Sequence, residues 1–269
     1  MTENPATPAI SLLTDFGLMD PYVSEMKAII LFICPRAKIV DISHLVEKFN
    51  IRMGAYLLAS AATSFPTGTV HVAVVDPGVG SSRRPIVIQT AHSLLVGPDN
   101  GLLVPAAQGE GVLHVYNVTN RSITNSEVSA TFHGRDVFAP VAAHLACGVP
   151  ARECGVEITD FLKPSYAEPK LNGKRVLSEV FHIDGFGNII TNVRATQVPF
   201  KLKPNQRLKI SLGKEQFSAR HVNTYSDLKK GECGLLVGSQ GFLEIACKER
   251  SAAKRVRAKT GMAVRFSSL

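Results

Sequence analysis

The apolar period of this 269-residue chain changes once, and that change limits what it can fold into. Up to about residue 160, short apolar runs alternate with stretches of helical spacing. Ala9 to Leu13 reads as a buried strand. Tyr22 to Ile33 has apolar residues at 23, 26, 29, 30 and 33, the spacing of one helix face, and stops at Cys34-Pro35. Lys38 to Ile42 predicts a strand, Ile51 to Ala62 a helix, and Thr69 to Val75 a strand covered on both faces. Ile86 to Gln89 and Leu94 to Val96 predict a strand pair, and Val137 to Ala146 a helix closed by Gly148 and Pro150. Alternation of this kind means a largely parallel sheet with helices outside. After about residue 165 only short strand-like runs remain: Val176 to Ile183, Asn188 to Val193, Leu208 to Leu212, Gln216 to Val222, Leu235 to Val237, Phe242 to Cys247 and Met262 to Phe266. Turn pairs such as Asp184-Gly185 and Gly213-Lys214 separate them, which predicts a small antiparallel barrel or sandwich.

Charge breaks in the same region. Residues 1–200 carry 15 Lys and Arg against 17 Asp and Glu, whereas residues 201–269 carry 15 against 5. The expected organisation is an N-terminal domain over residues 1–165, a Pro- and Gly-bearing linker over 166–174, and a second domain over 175–269. The densest basic stretch, Lys248 to Lys259, has no interleaved base-stacking aromatics and reads as a solvated face rather than a nucleic-acid surface. No apolar run reaches the roughly 18 residues of a membrane span. The polar start, Met1 to Pro8, has no basic-then-apolar pattern of a secretory signal. Five cysteines, at 34, 147, 154, 233 and 247, form no close pair, which argues for small buried thiols in a reducing cytoplasm rather than a disulfide framework or a zinc site. The histidines likewise show no paired metal-ligand spacing, so no metal is expected.

Three strings lie where apolar runs end, the place at which an open α/β sheet presents a ligand crevice. In Leu12-Leu13-Thr14-Asp15-Phe16-Gly17, Asp15 can accept both hydroxyls of a ribose or serve as a turn or capping residue. In Asp76-Pro77-Gly78-Val79-Gly80-Ser81-Ser82-Arg83-Arg84, a tight turn can return Arg83 to the pocket of Asp76; the plain alternative is a structural Asp-Pro turn with surface arginines. In Thr131-Phe132-His133-Gly134-Arg135-Asp136, His133 is suited to proton handling near neutral pH or to a structural role. Asp184-Gly185-Phe186-Gly187-Asn188 reads as a hairpin turn, and Asn188 and Phe186 can also meet the edge and face of a purine. Neither a dinucleotide Gly-x-Gly-x-x-Gly nor a Gly-x-Ser-x-Gly elbow is present.

Together with Leu243-Glu244-Ile245-Ala246, these strings, in this order and spacing, resemble those of the S-adenosylmethionine hydroxide adenosyltransferases, relatives of a chlorinase and a fluorinase that act on the same substrate. The resemblance covers Ser11 to about Phe266. It implies an α/β/α first domain, a β-barrel second domain, and a homotrimer whose active sites lie between one subunit's first domain and a neighbour's second. Carried over position by position, it implies that Asp76, Arg83 and His133 form the catalytic set and that Asp15 is the ribose carboxylate. It places Phe49 over the ribose, Phe186 and Asn188 at the adenine, Asp184 at the methionine amine, and Tyr22 and Ser239 at other pocket contacts. Gln240 departs from the arginine that halide-using relatives carry. His133-Gly134 departs from their tyrosine and serine, which favours water over halide as nucleophile. The implied reaction is attack of water or hydroxide on C5′ of S-adenosyl-L-methionine to give adenosine and L-methionine, with that molecule as substrate and no cofactor. The other readings are a halogenase of the same substrate, a non-catalytic adenosine-binding protein, and a nucleic-acid partner using the basic second domain.

Overall fold

The structure, a computed structural model, describes residues 8–173 and 175–268. Residues 1–7 of the polar start, Lys174 of the expected linker and Leu269 lie outside the described residues. The chain divides between Pro164 and Ser165 into two compact units.

The first unit runs β1 (Ala9–Thr14), α1 (Tyr22–Ile33), β2 (Lys38–Ser43), α2 (Ile51–Ala61), β3 (Val70–Val74), β4 (Pro85–Thr90), β5 (Leu94–Pro98), α3 (Val104–Glu110), β6 (Val112–Val118), α4 (Ala139–Ala146) and β7 (Gly155–Glu157). Its seven-stranded sheet has the order β2-β1-β3-β5-β4-β6-β7. The first four strands are parallel and the last three add antiparallel pairs. β1 and β3 are central and buried along nearly their whole length, which is why both read as continuous apolar runs. On one face Ile10, Leu12, Val72 and Val74 share a core with Met26 and Ile30 of α1 and the inner residues of α4. On the other face α2 comes close at Gly54, where an added Cβ would stand 2.8 Å from Leu102 and 3.0 Å from Val75. This is an α/β/α sandwich, and no helix among the described residues is long and apolar enough to cross a membrane.

Register sets the functional end. Thr14 pairs with Val74 across two parallel strands, so the chain leaves both strands on the same edge of the sheet. Asp15 and Asp76 therefore emerge side by side at the carboxyl ends of neighbouring strands, with Asn100 Nδ2 donating to the Val75 carbonyl (2.8 Å) to hold the second exit.

The second unit runs β8 (Lys170–Asn172), β9 (Arg175–Ile183), β10 (Ile189–Arg194), β11 (Arg207–Leu212), β12 (Glu215–His221), β13 (Cys233–Val237), β14 (Phe242–Cys247), α5 (Ala252–Val256) and β15 (Ala263–Ser268). The order β10-β14-β13-β12-β11-β15-β9 closes through a β9–β10 pairing into a seven-stranded barrel, with β8 added outside β9. The barrel is antiparallel except for β12 and β13, which run parallel. Alternating residues such as Leu208, Ile210 and Leu212 fill its interior with Val176, Val180, Leu243, Ile245 and Phe266.

The cysteine expectation needs correction. Cys233 and Cys247 form a disulfide, because the antiparallel register of β13 and β14 places them directly opposite each other. Fourteen residues of separation carry no hint of that pairing; strand register creates it. Cys34, Cys147 and Cys154 are free thiols.

Candidate active site

In the first unit, Asp76, Arg83 and His133 meet. The turn after Asp76 brings Arg83 back over it: Arg83 Nε donates to both Asp76 carboxylate oxygens (3.0 and 2.9 Å), and Nη2 donates to Oδ2 as well. The same Nη2 reaches His133 Nδ1 at 2.7 Å. A guanidinium only donates, so Nδ1 must accept, and the ring proton of the neutral imidazole is on Nε2. His133 is pushed below the ordinary histidine value, first by burial and then by the Arg83 charge. Arg83 and Asp76 are nearly buried, with 9% and 5% of their side chains exposed. Arg83 also lies over the Phe138 ring, 5.2 Å from its centroid, and its buried Nη1 has no hydrogen-bond partner. The guanidinium thus links carboxylate to imidazole while keeping one face of donors unused.

His133 is delivered by a single π-helical turn, Gly134–Phe138, that leads into α4. Asp136 in this turn is buried and held below its ordinary range by Arg135, Ser129 and Asn125 against the opposing effect of burial. It accepts from the Ser129 backbone (2.9 Å) and Asn125 Nδ2 (2.8 Å), tying the preceding loop to the turn. That loop in turn meets the Asp76 loop. Gly80 has φ +77°, and a Cβ there would collide with the Ala130 carbonyl, so only glycine fits. Asp136 therefore acts by positioning His133 and its loop.

A cleft of about 410 Å³ opens beside this trio, lined by Phe16, Tyr22, Asp76, Phe132 and His133 among others. Phe16, Tyr22 and Phe132 meet edge to face, with centroids 5.1 to 5.9 Å apart. Phe16 and Phe132 belong to two of the sequence strings, but their roles as walls follow only from this packing. Gly134 permits it: a Cβ would be 3.1 Å from both phenylalanine rings. Asp15 is buried next to this region, and its Oδ2 accepts from the Phe49 backbone at 2.9 Å. Phe49 has φ +65°, a strained value for a bulky residue, and its side chain is 69% exposed. Lys48, which the motifs do not single out, donates to the Asp15 carbonyl at 2.5 Å and fixes the same corner.

The remaining expected residues lie on the second unit. Asp184 closes the β9–β10 turn on itself: Oδ1 accepts from the Phe186 and Asn188 backbones (both 2.9 Å), and Oδ2 accepts from Asn188 Nδ2 (2.9 Å). Phe186 projects 85% exposed from this turn while Asn188 is buried. The turn rests on the start of α5, where Ser251 occupies the space of a Gly187 side chain and the Ala253 backbone donates to the Gly187 carbonyl (2.9 Å). A cleft of about 590 Å³ there is lined by Asp184, Phe186, Ser251, Lys254 and Arg257. Ser239 is in the β13–β14 turn and donates to the Gln240 side chain, whose backbone carbonyl accepts from Arg194 Nη1 (3.0 Å). Arg194 is stacked on Phe242 (4.3 Å). Glu244 is buried below this turn, with Tyr225 donating to its Oε1 (2.7 Å); burial raises its pKa above the usual carboxylate value. Among the described residues, no group of three His, Cys, Asp or Glu is arranged to hold a metal ion.

The first unit is an α/β/α sandwich with a carboxylate–guanidinium–imidazole cluster beside a cleft, and the second is a seven-stranded barrel. Residues 10–155 match the SAM hydroxide adenosyltransferase N-terminal domain and residues 178–265 its C-terminal domain, so the chain belongs to this family. It is 38% identical over 267 residues to the (R)-S-adenosyl-L-methionine hydrolase of Salinispora tropica, covering 97% of this chain and 98% of that protein. It is 28% identical to the fluorinase of Nocardia brasiliensis, covering 98% of each. A crystal structure of an uncharacterized conserved protein from Thermotoga maritima superposes with a TM-score of 0.86 at 36% identity, covering 96% of this chain and 99% of that one.

Proposed function

We propose that this enzyme hydrolyses S-adenosyl-L-methionine by attack of water or hydroxide at C5′, releasing adenosine and L-methionine. The observation that carries the reading is the Arg83 guanidinium joined to both Asp76 and His133 beside an aromatic-walled cleft. The leaving group is a sulfonium that departs as a neutral thioether, so the reaction needs neither a leaving-group acid nor a cofactor. Its demand is a well-placed oxygen nucleophile in line with the C–S bond. The His133 Nε2–H, on a residue that lines the cleft, is a donor suited to an oxygen gaining negative charge. His133 Nδ1 is already engaged by Arg83, which leaves Asp76 as the proton acceptor of the three. Hydroxide and sulfonium lose their opposite charges on reaction, so a partly dry pocket favours the transition state over the charged reactants.

In this reading Asp15 takes the ribose hydroxyls with its remaining oxygen, under Phe49. Phe186 stacks on the adenine, Asn188 meets its edge, Asp184 neutralises the methionine ammonium, and Tyr22 and Ser239 complete the pocket. The nucleophile-handling group is on one unit and the adenine and methionine group on the other. With the family resemblance, we read the protein as a homotrimer in which the first unit of one subunit completes its site with the second unit of a neighbour. We place the enzyme in the cytoplasm, in keeping with three free thiols among five cysteines. The relatives named for the (R) sulfonium suggest that epimer as substrate.

The test is turnover in heavy-oxygen water with each resolved sulfonium epimer, followed by mass spectrometry of the nucleoside. Heavy oxygen at the 5′ position with the (R) epimer is the expected result. Adenosine free of heavy oxygen, or no adenosine from either epimer, would refute the reaction. Chloride should leave adenosine as the product; 5′-chloro-5′-deoxyadenosine as the main product would instead assign a halogenase.

A further inference from the structure

The cysteines that the proposed chemistry does not use are themselves arranged to react. Cys34 is the residue that ends α1, and Cys147 ends α4. The two helices pack side by side in one core, so their carboxyl ends bring residues 113 positions apart into contact. The Cys147 thiol points at the carbonyl of Ile33, the residue next to Cys34, at 3.8 Å. Cys34 is only 2% exposed, whereas Cys147 is open to solvent. One accessible sulfur with one shielded sulfur behind it is the arrangement in which an oxidised thiol is resolved within the same chain before it reacts further.

We propose that Cys34 and Cys147 form a reversible redox pair in which the exposed thiol reacts with a hydroperoxide and the buried one resolves it. The thiolate of Cys147 attacks the terminal oxygen of the peroxide. An S–O bond forms, the O–O bond breaks, and the departing oxygen leaves as water (or alcohol) after taking a proton. Cys147 is then a sulfenic acid. The Cys34 sulfur attacks the Cys147 sulfur, an S–S bond forms, and the S–O bond breaks. The proton lost by Cys34 leaves with the hydroxyl as a second water. Two thiols are oxidised and one hydroperoxide is reduced. Burial, with the neighbouring Cys147, pushes the Cys34 thiol up to about 11, so it does not compete with Cys147 for the oxidant and reacts only as the resolving partner. Cys34 is about 18 Å along α1 from Tyr22 and the cleft, so the crosslink protects Cys147 from irreversible oxidation without entering the nucleotide pocket.

The test uses the full chain treated with a few-fold excess of hydrogen peroxide, alkylated, and digested without reductant for peptide mass spectrometry. The expected product is a Cys34–Cys147 linked peptide pair within one chain, removed by dithiothreitol. In C34S the crosslink is lost and a Cys147 sulfenic acid accumulates, trapped by a 1,3-diketone at a yield at least about fivefold above wild type. Wild-type protein in which Cys147 goes on to sulfinic acid while Cys34 stays alkylatable would overturn the proposal. So would crosslinking only between Cys147 residues of two copies. Buried Cys154, whose thiol burial pushes up to about 12, serves as the internal control and remains reduced.

Discussion

The two units place their polar groups in opposite ways. In the first, Asp76, Arg83 and His133 come from a strand exit, a returning loop and a π-turn, and are joined only through hydrogen bonds across up to 50 positions of sequence. In the second, Asp184, Phe186 and Asn188 occupy one five-residue turn whose carboxylate already satisfies its own backbone. A long-range cluster exists only when the sheet, α4 and the Asp136-held loop are all formed. A local turn is preorganised by its own side chains and needs only the flanking strands. The arrangement proposed to handle the nucleophile thus depends on the tertiary structure, while the one proposed for binding is nearly self-contained.

Breaking the hub of the first unit has the largest expected effect. R83A removes the link between Asp76 and His133, and should lower turnover by about 10³-fold with a folded chain by circular dichroism. D76A and H133A should each cost at least about 10²-fold. Adenosine release near the wild-type rate in any of these variants would dissolve the contrast between the units. The acid limb of wild-type turnover should fall below the ordinary histidine value of about 6.5, because burial and Arg83 hold His133 neutral to lower pH.

Stability of the first unit should also depend on pH through a residue outside the cleft. His71 is fully buried on β3, bonded through Nδ1 to Ser11 Oγ at 2.6 Å, and burial lowers it to about 4. Its folded value is below its unfolded one, so the unfolded chain binds the extra proton and stability falls as pH drops from about 6.5 towards 4. The loss between pH 7 and pH 5 should be about 2 kcal/mol in urea melts and smaller by that amount in a His71→Asn variant. An equal pH slope in both proteins would assign the loss elsewhere.

For the second unit, D184A removes three hydrogen bonds from one turn and should cost about 2 kcal/mol of stability by denaturant titration. Its effect on kcat should be much smaller than that of R83A, with the loss concentrated in KM. A kcat loss matching R83A would mean that the turn is part of the catalytic cluster rather than a binding element. The smallest effect concerns Phe49. Glycine tolerates its positive φ and alanine does not, so F49G should melt higher than F49A by the equivalent of about 1 kcal/mol, although both lose the exposed ring.

Much of this was legible in the chain. β1, β3, α1 and α2 announce themselves because a buried parallel strand and an amphipathic helix each leave an apolar period of their own. The Asp15, Asp76 and His133 strings stand out because glycines beside charged residues at strand ends are costly unless something needs them. α3 is less readable: seven residues, apolar at its start and with a proline second, have no period to distinguish helix from loop. β6 and the three-residue β7 and β8 owe their state to the partners beside them rather than to their own composition. β8 is an example within the stretch expected to be linker.

Sequence alone determined the succession of an α/β unit and a β unit and the residue types available at each strand exit, since these follow from local periodicity and turn chemistry. Tertiary structure alone decided that Arg83 joins Asp76 to His133, that Phe16 and Phe132 wall the cleft, that Cys233 meets Cys247, and that Cys147 reaches the end of α1 beside Cys34. Those contacts depend on strand register and helix packing. Register and packing are settled by the burial of the whole core, so no short stretch of sequence contains them.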